Sequence, residues 1–239
     1  NFYTIEDCSI NVISVGECII DWDEDAGECW GYWDDVIWDE NDWNDAATLA
    51  SDPYGLAKTE AERAVWRFEA AQEPDGGCRV VVINPGYVLG PVFNGRHSKA
   101  SPIIVRNMLT GKMPACPRIH LGLVDVREVA DAHVAALEDP SASGRYIVVN
   151  EGRWIRDIAL TLKEMFPDRE IATRRMPNLL MYLAAFFDPT LDRATLRRVL
   201  GRAVAFDSSR SQAELGLTYR PLRETLKDTV QSMTLAGLV

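Results

Sequence analysis

"CRVVVINPGYVLGP", Cys78 to Pro91, decides the fold. From Cys78 to Pro85 the run is almost wholly apolar, and Val80 to Ile83 are all β-branched. No polar residue alternates with them, so the stretch predicts a strand buried on both faces, as in a parallel sheet. "GYVLGPVFNG" (Gly86 to Gly95) is punctuated by glycine and proline and predicts a loop leaving the carboxyl end of that strand.

Towards the amino end, "SDPYGLAKTEAER" (Ser51 to Arg63) opens a helix. Ser51 or Asp52 can cap it, and Pro53 suits its first turn. Ala57, Ala61, Ala64, Val65 and Phe68 recur at helical spacing and predict one apolar face through about Ala71. "PDGG" (Pro74 to Gly77) ends it. Further back, "INVISVGECII" (Ile10 to Ile20) is a short β-rich run and a second buried strand.

Towards the carboxyl end, helices are expected from about Pro102 to Thr110 and from Val124 to Asp139. "GRYIVVN" (Gly144 to Asn150) is again strand-like. Later helices follow in "RWIRDIALTLKEMFP", in "MPNLLMYLAAFF" and from Pro221 to Gly237. Strands of buried type alternating with helices predict an α/β fold with helices on both faces of a parallel sheet. In such sheets ligands bind beyond the carboxyl ends of the strands. Both the Tyr54 helix start and the "NPGYVLGP" loop belong at that edge.

Composition narrows the functional classes. The longest apolar run, Leu179 to Phe187, is less than half of the ~20 residues that cross a bilayer. A net charge of −11 argues against a nucleic-acid partner. Residues 1–50 carry 14 Asp or Glu and no Lys or Arg, which leaves the other 189 residues at +3. The same fifty hold five of the seven tryptophans: Trp22, Trp30, Trp33, Trp38 and Trp43. Asp21 to Asp45 has no clean period and reads as a loose excursion rather than a folded module. Five cysteines without a Cys-x-x-Cys pair suggest reduced thiols in a cytoplasmic protein, and three scattered histidines suggest no metal site.

Tyr54 and Lys58 share one helix face, one turn apart. An ammonium near a phenol favours the phenolate and lowers the phenol's pKa from about 10. Such a tyrosine can exchange a proton with a substrate oxygen near neutral pH. A surface pair would show the same spacing, so the motif depends on its context. His133, on the apolar face of its helix, reads as a core histidine rather than a base. Nothing singles out His120, and Asp125 and Asp131 read as capping or surface groups.

That context resembles the extended short-chain dehydrogenase/reductase family, within the NAD-dependent epimerase/dehydratase superfamily. The similarity is greatest to its dihydroflavonol 4-reductase and cinnamoyl-CoA reductase-like branch. "DPYGLAKTEAER" resembles the family's Tyr-x-x-x-Lys helix, and "VVVINPGYVLGP" its strand and following loop. "VDVREVADAHVAALE", "GRYIVVN" and "AFDSSRSQAELGLTYRPLRETLKD" continue the series in family order.

The resemblance implies reduction of an aldehyde or ketone by NADP or NAD, with NADPH favoured. Tyr54 would donate the proton, and Lys58 would hold the cofactor ribose and tune Tyr54. Pro85, Gly86 and Val88 would line the nicotinamide pocket. A hydroxyl ending the preceding strand would bind the substrate oxygen; Ser14 is the candidate and Ser9 the fallback, although the family's usual Thr-Ser or Ser-Ser doublet is missing. The implied partner is a small carbonyl compound, without nucleic acid or membrane and with homodimerisation left open. A nucleotide-sugar epimerase or dehydratase shares the Tyr–Lys helix. That branch more often carries arginine where this chain has Asn84 before Pro85.

No Gly-x-Gly-x-x-Gly or Gly-x-x-Gly-x-x-Gly occurs in the chain. A dinucleotide pyrophosphate needs such a turn, so that backbone N–H groups and a helix N-terminus can approach it. With the family's strand order of 3-2-1-4-5-6-7, the chain is expected to hold the 5-6-7 side of a Rossmann-like sheet. Residues 1–150 would be this partial domain, with 86–122 contributing to the substrate side. Residues 151–239 would be a mostly helical substrate-binding region. A non-catalytic fragment, or half of an assembly, is the alternative expectation for the chain alone.

Overall fold

The computed structural model describes residues 9–11, 37–72, 77–95, 101–187 and 193–239. The decisive apolar run forms strand β3 (Val81–Pro85), with every residue buried. It lies between β1 (Ser9–Asn11) and β6 (Gly144–Val148) in a parallel sheet of order β1-β3-β6. Ile10 is in register with Val82, and Asn84 with Ile147. Among the described residues β1 therefore ends the sheet, as the family order predicts for the strand at Ile10. Residues 12–20 of that expected strand lie outside the described residues.

Parallel neighbours cannot be joined by hairpins, so helices cross over between them. Helix α1 (Pro53–Ala70) covers one face, where Val65 and Trp66 pack on Val80 and Val82. Helix α3 (Val126–Glu138) covers the other, with Val129, Ala132 and Ala136 against Val81, Ile83, Tyr146 and Val148. Alternate residues of the same strand thus feed two cores. This is the α/β, doubly wound arrangement expected from the sequence.

At Gly86 the chain leaves β3 for a second sheet. Strand β4 (Tyr87–Leu89) pairs in parallel with β5 (His120–Asp125), which pairs antiparallel with β7 (Glu151–Trp154). Its core is the larger one. Met108 of α2 (Ile103–Leu109), Ile158 and Leu162 of α4 (Ile155–Met165), and Leu226 and Met233 of α8 (Leu222–Leu235) meet there with almost no exposure. Helices α5 (Asn178–Phe187) and α6 (Arg193–Val199) form a smaller cluster around Met181, Leu196 and Leu200. Helix α7 (Ser209–Leu215) returns to the parallel sheet, where Leu215 and Leu217 join the core of β3, β6 and α3.

Two expectations need correction. The apolar stripe of α1 does not face the sheet: Ala57, Ala61, Ala64 and Phe68 are exposed, and Val65 alone of the five packs inward. The buried positions are instead Gly55, Thr59 and Glu62. The cause is an ion pair. Arg145 of β6 places its Nε 2.6 Å from a Glu62 oxygen, and both side chains are almost wholly shielded from solvent.

The acidic segment is the second correction. Residues 21–36 lie outside the described residues, but 37–45 are held in place. Ile37 and Trp38 form β2, which pairs in parallel with β8 (Ala205–Phe206). Arg145 donates to the carbonyls of Glu40 and Asp42 at 2.6 and 2.7 Å, and its guanidinium lies 4.2 Å from the Trp43 ring centre. Glu40 accepts the backbone N–H of Ile147 at 2.9 Å, and Arg210 donates to the carbonyls of Arg145 and Ser143. These side chains cover the outer edge of β6, where unpaired backbone groups would otherwise invite another strand.

Cys116 is a buried free thiol. No helix among the described residues is long and apolar enough to cross a membrane. No metal-binding group of His, Cys, Asp and Glu occurs among them either.

Candidate active site

The site begins with the cap of α1. Asp52 accepts the backbone N–H of Gly55 at 2.9 Å, so Asp52 and not Ser51 caps the helix. Thr48 and Ser51 bond to each other and brace the preceding turn. The Asp52 carboxylate also receives the Asn44 amide at 3.3 Å and pairs with Arg198 of α6 at 2.9 Å. Gly55 must be glycine at this packing, because a Cβ there would overlap the Asp52 carboxylate and the Asn44 amide.

Two residues on, Tyr54 projects with 56% of its surface exposed. The Lys58 ammonium lies over its ring, 5.7 Å from the ring centre. The helical spacing therefore brings the two groups together as expected. The electrostatic consequence is different. Partial burial, and then the charge of Asp52, push the Tyr54 phenol above its ordinary value. The lowering anticipated from Lys58 is not what this arrangement gives. The phenol is protonated at neutral pH, as an ordinary tyrosine is, and can donate a proton, although the upward shift makes it a weaker acid.

The connection after α1 fixes the direction of the helix. Gln72, just past its end, bonds to the carbonyl of Cys78 at the approach to β3. The 18-residue helix, about 27 Å long at 1.5 Å per residue, then runs back past the strand. Tyr54 and Lys58 lie at the end of α1 that points to the carboxyl edge of β3, where Pro85 and Gly86 follow. Pro85 is in register with Val148, and the Gly86 N–H donates to the Val148 carbonyl at 3.1 Å. Val88 is half-buried, in register with Val124, and packs on the core of β3, β6 and α3.

Gly86 has no room for a side chain: a Cβ would run into the Gly122 carbonyl oxygen. Backbone cannot yield as a flexible side chain can. Gly86→Ala should destabilise the protein by about 1–3 kcal/mol, the usual cost of overpacking. Urea unfolding checks this; an unchanged midpoint would mean that the two sheets separate at this point without cost.

Ser14 lies outside the described residues. Ser9, the fallback, lies in β1 opposite Val81. His133 donates its Nδ1–H to the Val129 carbonyl at 2.7 Å, as a hydrogen-bonded helix histidine does. His120 stands edge-on to Trp154, and its Nδ1 accepts the Val204 N–H, which assigns the proton of the neutral ring to Nε2. Burial holds its pKa below the ordinary histidine value. Asp125 caps α3 in a reciprocal box with Glu128.

Asn84 was not anticipated. It is buried at the carboxyl end of β3, and neither polar atom of its amide has a partner among the described residues. Strand alternation turns it towards the α1 side, as with Val80 and Val82. Thr59, buried on α1, has an unpartnered hydroxyl as well. The sequence signal was a polar residue closing an otherwise apolar run. Arg198 gave no sequence signal at all.

Residues 38–152 match the NAD dependent epimerase/dehydratase family. Over that segment the chain is similar to that family. The matched segment runs from β2 through the Tyr–Lys helix to β7, so it contains the site just described. Among curated family relatives, Cinnamoyl-CoA reductase 1 of Arabidopsis thaliana is 30% identical over 205 residues, which cover 85% of this chain and 53% of that protein. NADPH-dependent methylglyoxal reductase GRE2 of Saccharomyces cerevisiae is 28% identical over 209 residues, covering 83% and 57%. A solved structure of yeast methylglyoxal/isovaleraldehyde reductase Gre2 complexed with NADPH is 26% identical with a TM-score of 0.60. It is matched over 84% of this chain and 58% of its own. The chain spans about half the length of the curated relatives it matches.

Proposed function

We propose that the full-length protein reduces a small aldehyde or ketone with NAD(P)H, with Tyr54 as proton donor. One observation carries this reading: the Lys58 ammonium lies over the Tyr54 ring, at the end of α1 turned towards the carboxyl edge of β3. Relatives named as reductases, one of them NADPH-dependent, support it.

The nicotinamide end of the cofactor fits the residues present. Lys58 can offer its ammonium to ribose hydroxyls, and Pro85 and Gly86 close the carboxyl end of β3. When bound, the reduced nicotinamide supplies a hydride. Tyr54 then gives its proton to the alkoxide forming on the substrate, so that charge does not accumulate on the oxygen. Pro85, Gly86 and Val88 orient the ring, and Ser14 is the proposed second hydrogen-bond donor to that oxygen. In this reading residues 1–150 form the cofactor side, and residues 151–239 shape the substrate side. The test is carbonyl-dependent NADPH consumption by the full-length protein, with a panel of short aliphatic and aromatic aldehydes and ketones. No consumption with any of them would remove the reductase reading and leave a nucleotide-sugar epimerase or dehydratase as the alternative.

The pyrophosphate end does not fit these 239 residues, because they contain no glycine-rich strand–turn–helix. This favours a second reading, in which the chain by itself is not catalytic. The isolated chain should bind NADPH far more weakly than the low micromolar range, which corresponds to about −8 kcal/mol. Calorimetric titration decides: a low micromolar dissociation constant would show that these residues alone make a cofactor site.

A further inference from the structure

We propose that Arg198 is a positioning residue for Tyr54: reaching from α6 to the Asp52 carboxylate, it fixes the start of α1 and neutralises the capping carboxylate two residues before Tyr54. The inference takes its consequence for catalysis from the reading of Tyr54 as proton donor.

The geometry is that of a built contact. Asp52 and Arg198 side chains keep only 14% and 20% of their surface exposed, and the ion pair measures 2.9 Å. The same carboxylate accepts the Gly55 N–H and the Asn44 amide. Asp52 is therefore held from three directions: its own helix, the segment before it, and α6. Among these described partners, Arg198 brings the full opposite charge. An exposed pair would contribute little, but shielding from solvent strengthens the interaction of the charges that remain.

Among the described residues three charged groups are placed at this end of α1. Lys58 lies over the Tyr54 ring, Asp52 stands at the cap, and Arg198 engages Asp52. Asp45, Arg63 and Glu60 form a separate exposed cluster further along the helix. Burial is the first cause of the raised Tyr54 phenol, and Asp52 is the second. Arg198 opposes that second cause. Arg198 belongs to α6, in the carboxyl-terminal helical segment, and Tyr54 to the helix against the parallel sheet. Docking of that segment thereby helps set the acidity of the proposed donor.

The test is a tyrosine titration of the purified chain by near-ultraviolet difference absorbance, with Tyr54→Phe in each background isolating the Tyr54 signal. Arg198→Met should move the Tyr54 midpoint to higher pH, because the carboxylate then faces the phenol unneutralised. Asp52→Asn should move it to lower pH; asparagine caps a helix about as well as aspartate, so only charge is lost. Asp52→Asn/Arg198→Met should match Asp52→Asn alone, since Arg198 acts through Asp52. Arg198→Lys should keep the wild-type midpoint. A shift from Arg198→Met that persists in full without the Asp52 charge overturns the proposal, and so does a midpoint unmoved by Asp52→Asn. If Arg198→Met does not fold, Asp52→Asn and Arg198→Lys still decide. Neither substrate nor cofactor is needed, so a Tyr54 without a role in reduction would leave this titration result standing.

Discussion

Tyr54→Phe should reduce carbonyl turnover by about 10²–10⁴-fold in the full-length protein, the usual worth of a positioned general acid. Phenylalanine keeps the ring and its contact with Lys58 and removes only the hydroxyl. NADPH affinity should therefore stay nearly unchanged while kcat falls. At 1.36 kcal/mol per tenfold, the loss corresponds to about 3–5 kcal/mol of transition-state stabilisation. Lys58→Met should behave differently, weakening cofactor binding and turnover together, because the ammonium would serve the ribose as well as the phenol. Steady-state kinetics on both variants separate the roles. A fall of less than threefold in Tyr54→Phe would mean that another group supplies the proton.

The largest expected effect on stability lies at Arg145. Glu62 is fully buried on α1, and its carboxylate is met by Arg145 Nε at 2.6 Å and by the Trp66 indole N–H at 3.2 Å. Arg145→Met leaves that carboxylate with the indole alone. It also frees the carbonyls of Glu40 and Asp42 and removes the cation over Trp43. Breaking a buried pair from one side costs about 3–5 kcal/mol, since the remaining charge is neither solvated nor paired. Replacing both partners with apolar residues is often close to neutral. Urea unfolding of Arg145→Met, Glu62→Leu and the double variant should therefore show the double variant more stable than Arg145→Met. A loss below about 1 kcal/mol in Arg145→Met would refute this account of what anchors α1, given that cost for a broken buried pair.

The two sets of substitutions bear on different links. Tyr54 and Lys58 act on chemistry, at an exposed helix end. Glu62 and Arg145 act on the packing that holds this helix against the sheet. Residues 37–45 belong to the second set, although their composition resembles a solvated loop. Trp43 lies between Arg145 and Arg63, with ring-centre distances of 4.2 and 5.3 Å, and the segment is fixed by contacts that no local pattern announces.

Much of the fold was legible because its signals are local. A strand buried on both faces needs an unbroken apolar run, and Val80 to Ile83 supplies one. A helix repeats every 3.6 residues, so Tyr54 and Lys58 had to share a face wherever α1 came to lie. A cap bonds within its own first turn, so the sequence narrowed the start of α1 to Ser51 or Asp52 and left Asp125 as a capping or surface group. The order of these elements was enough to indicate a Rossmann-like α/β sheet and the edge at which its ligand belongs.

Only the tertiary structure decided which face of α1 turns inward. Alanine periodicity pointed one way. The pairing of Glu62 with Arg145, 83 residues away, turned the helix the other way. The bond from Arg198 to Asp52, the orphaned amide of Asn84 and the raised phenol of Tyr54 belong to the same class. Each depends on which distant group stands opposite and on how much water is excluded between them. A single charged residue has no period, and its partner carries no mark of it in the chain. Sequence determined the elements and the chemistry they could carry, while the fold determined which charges met and how strongly they acted.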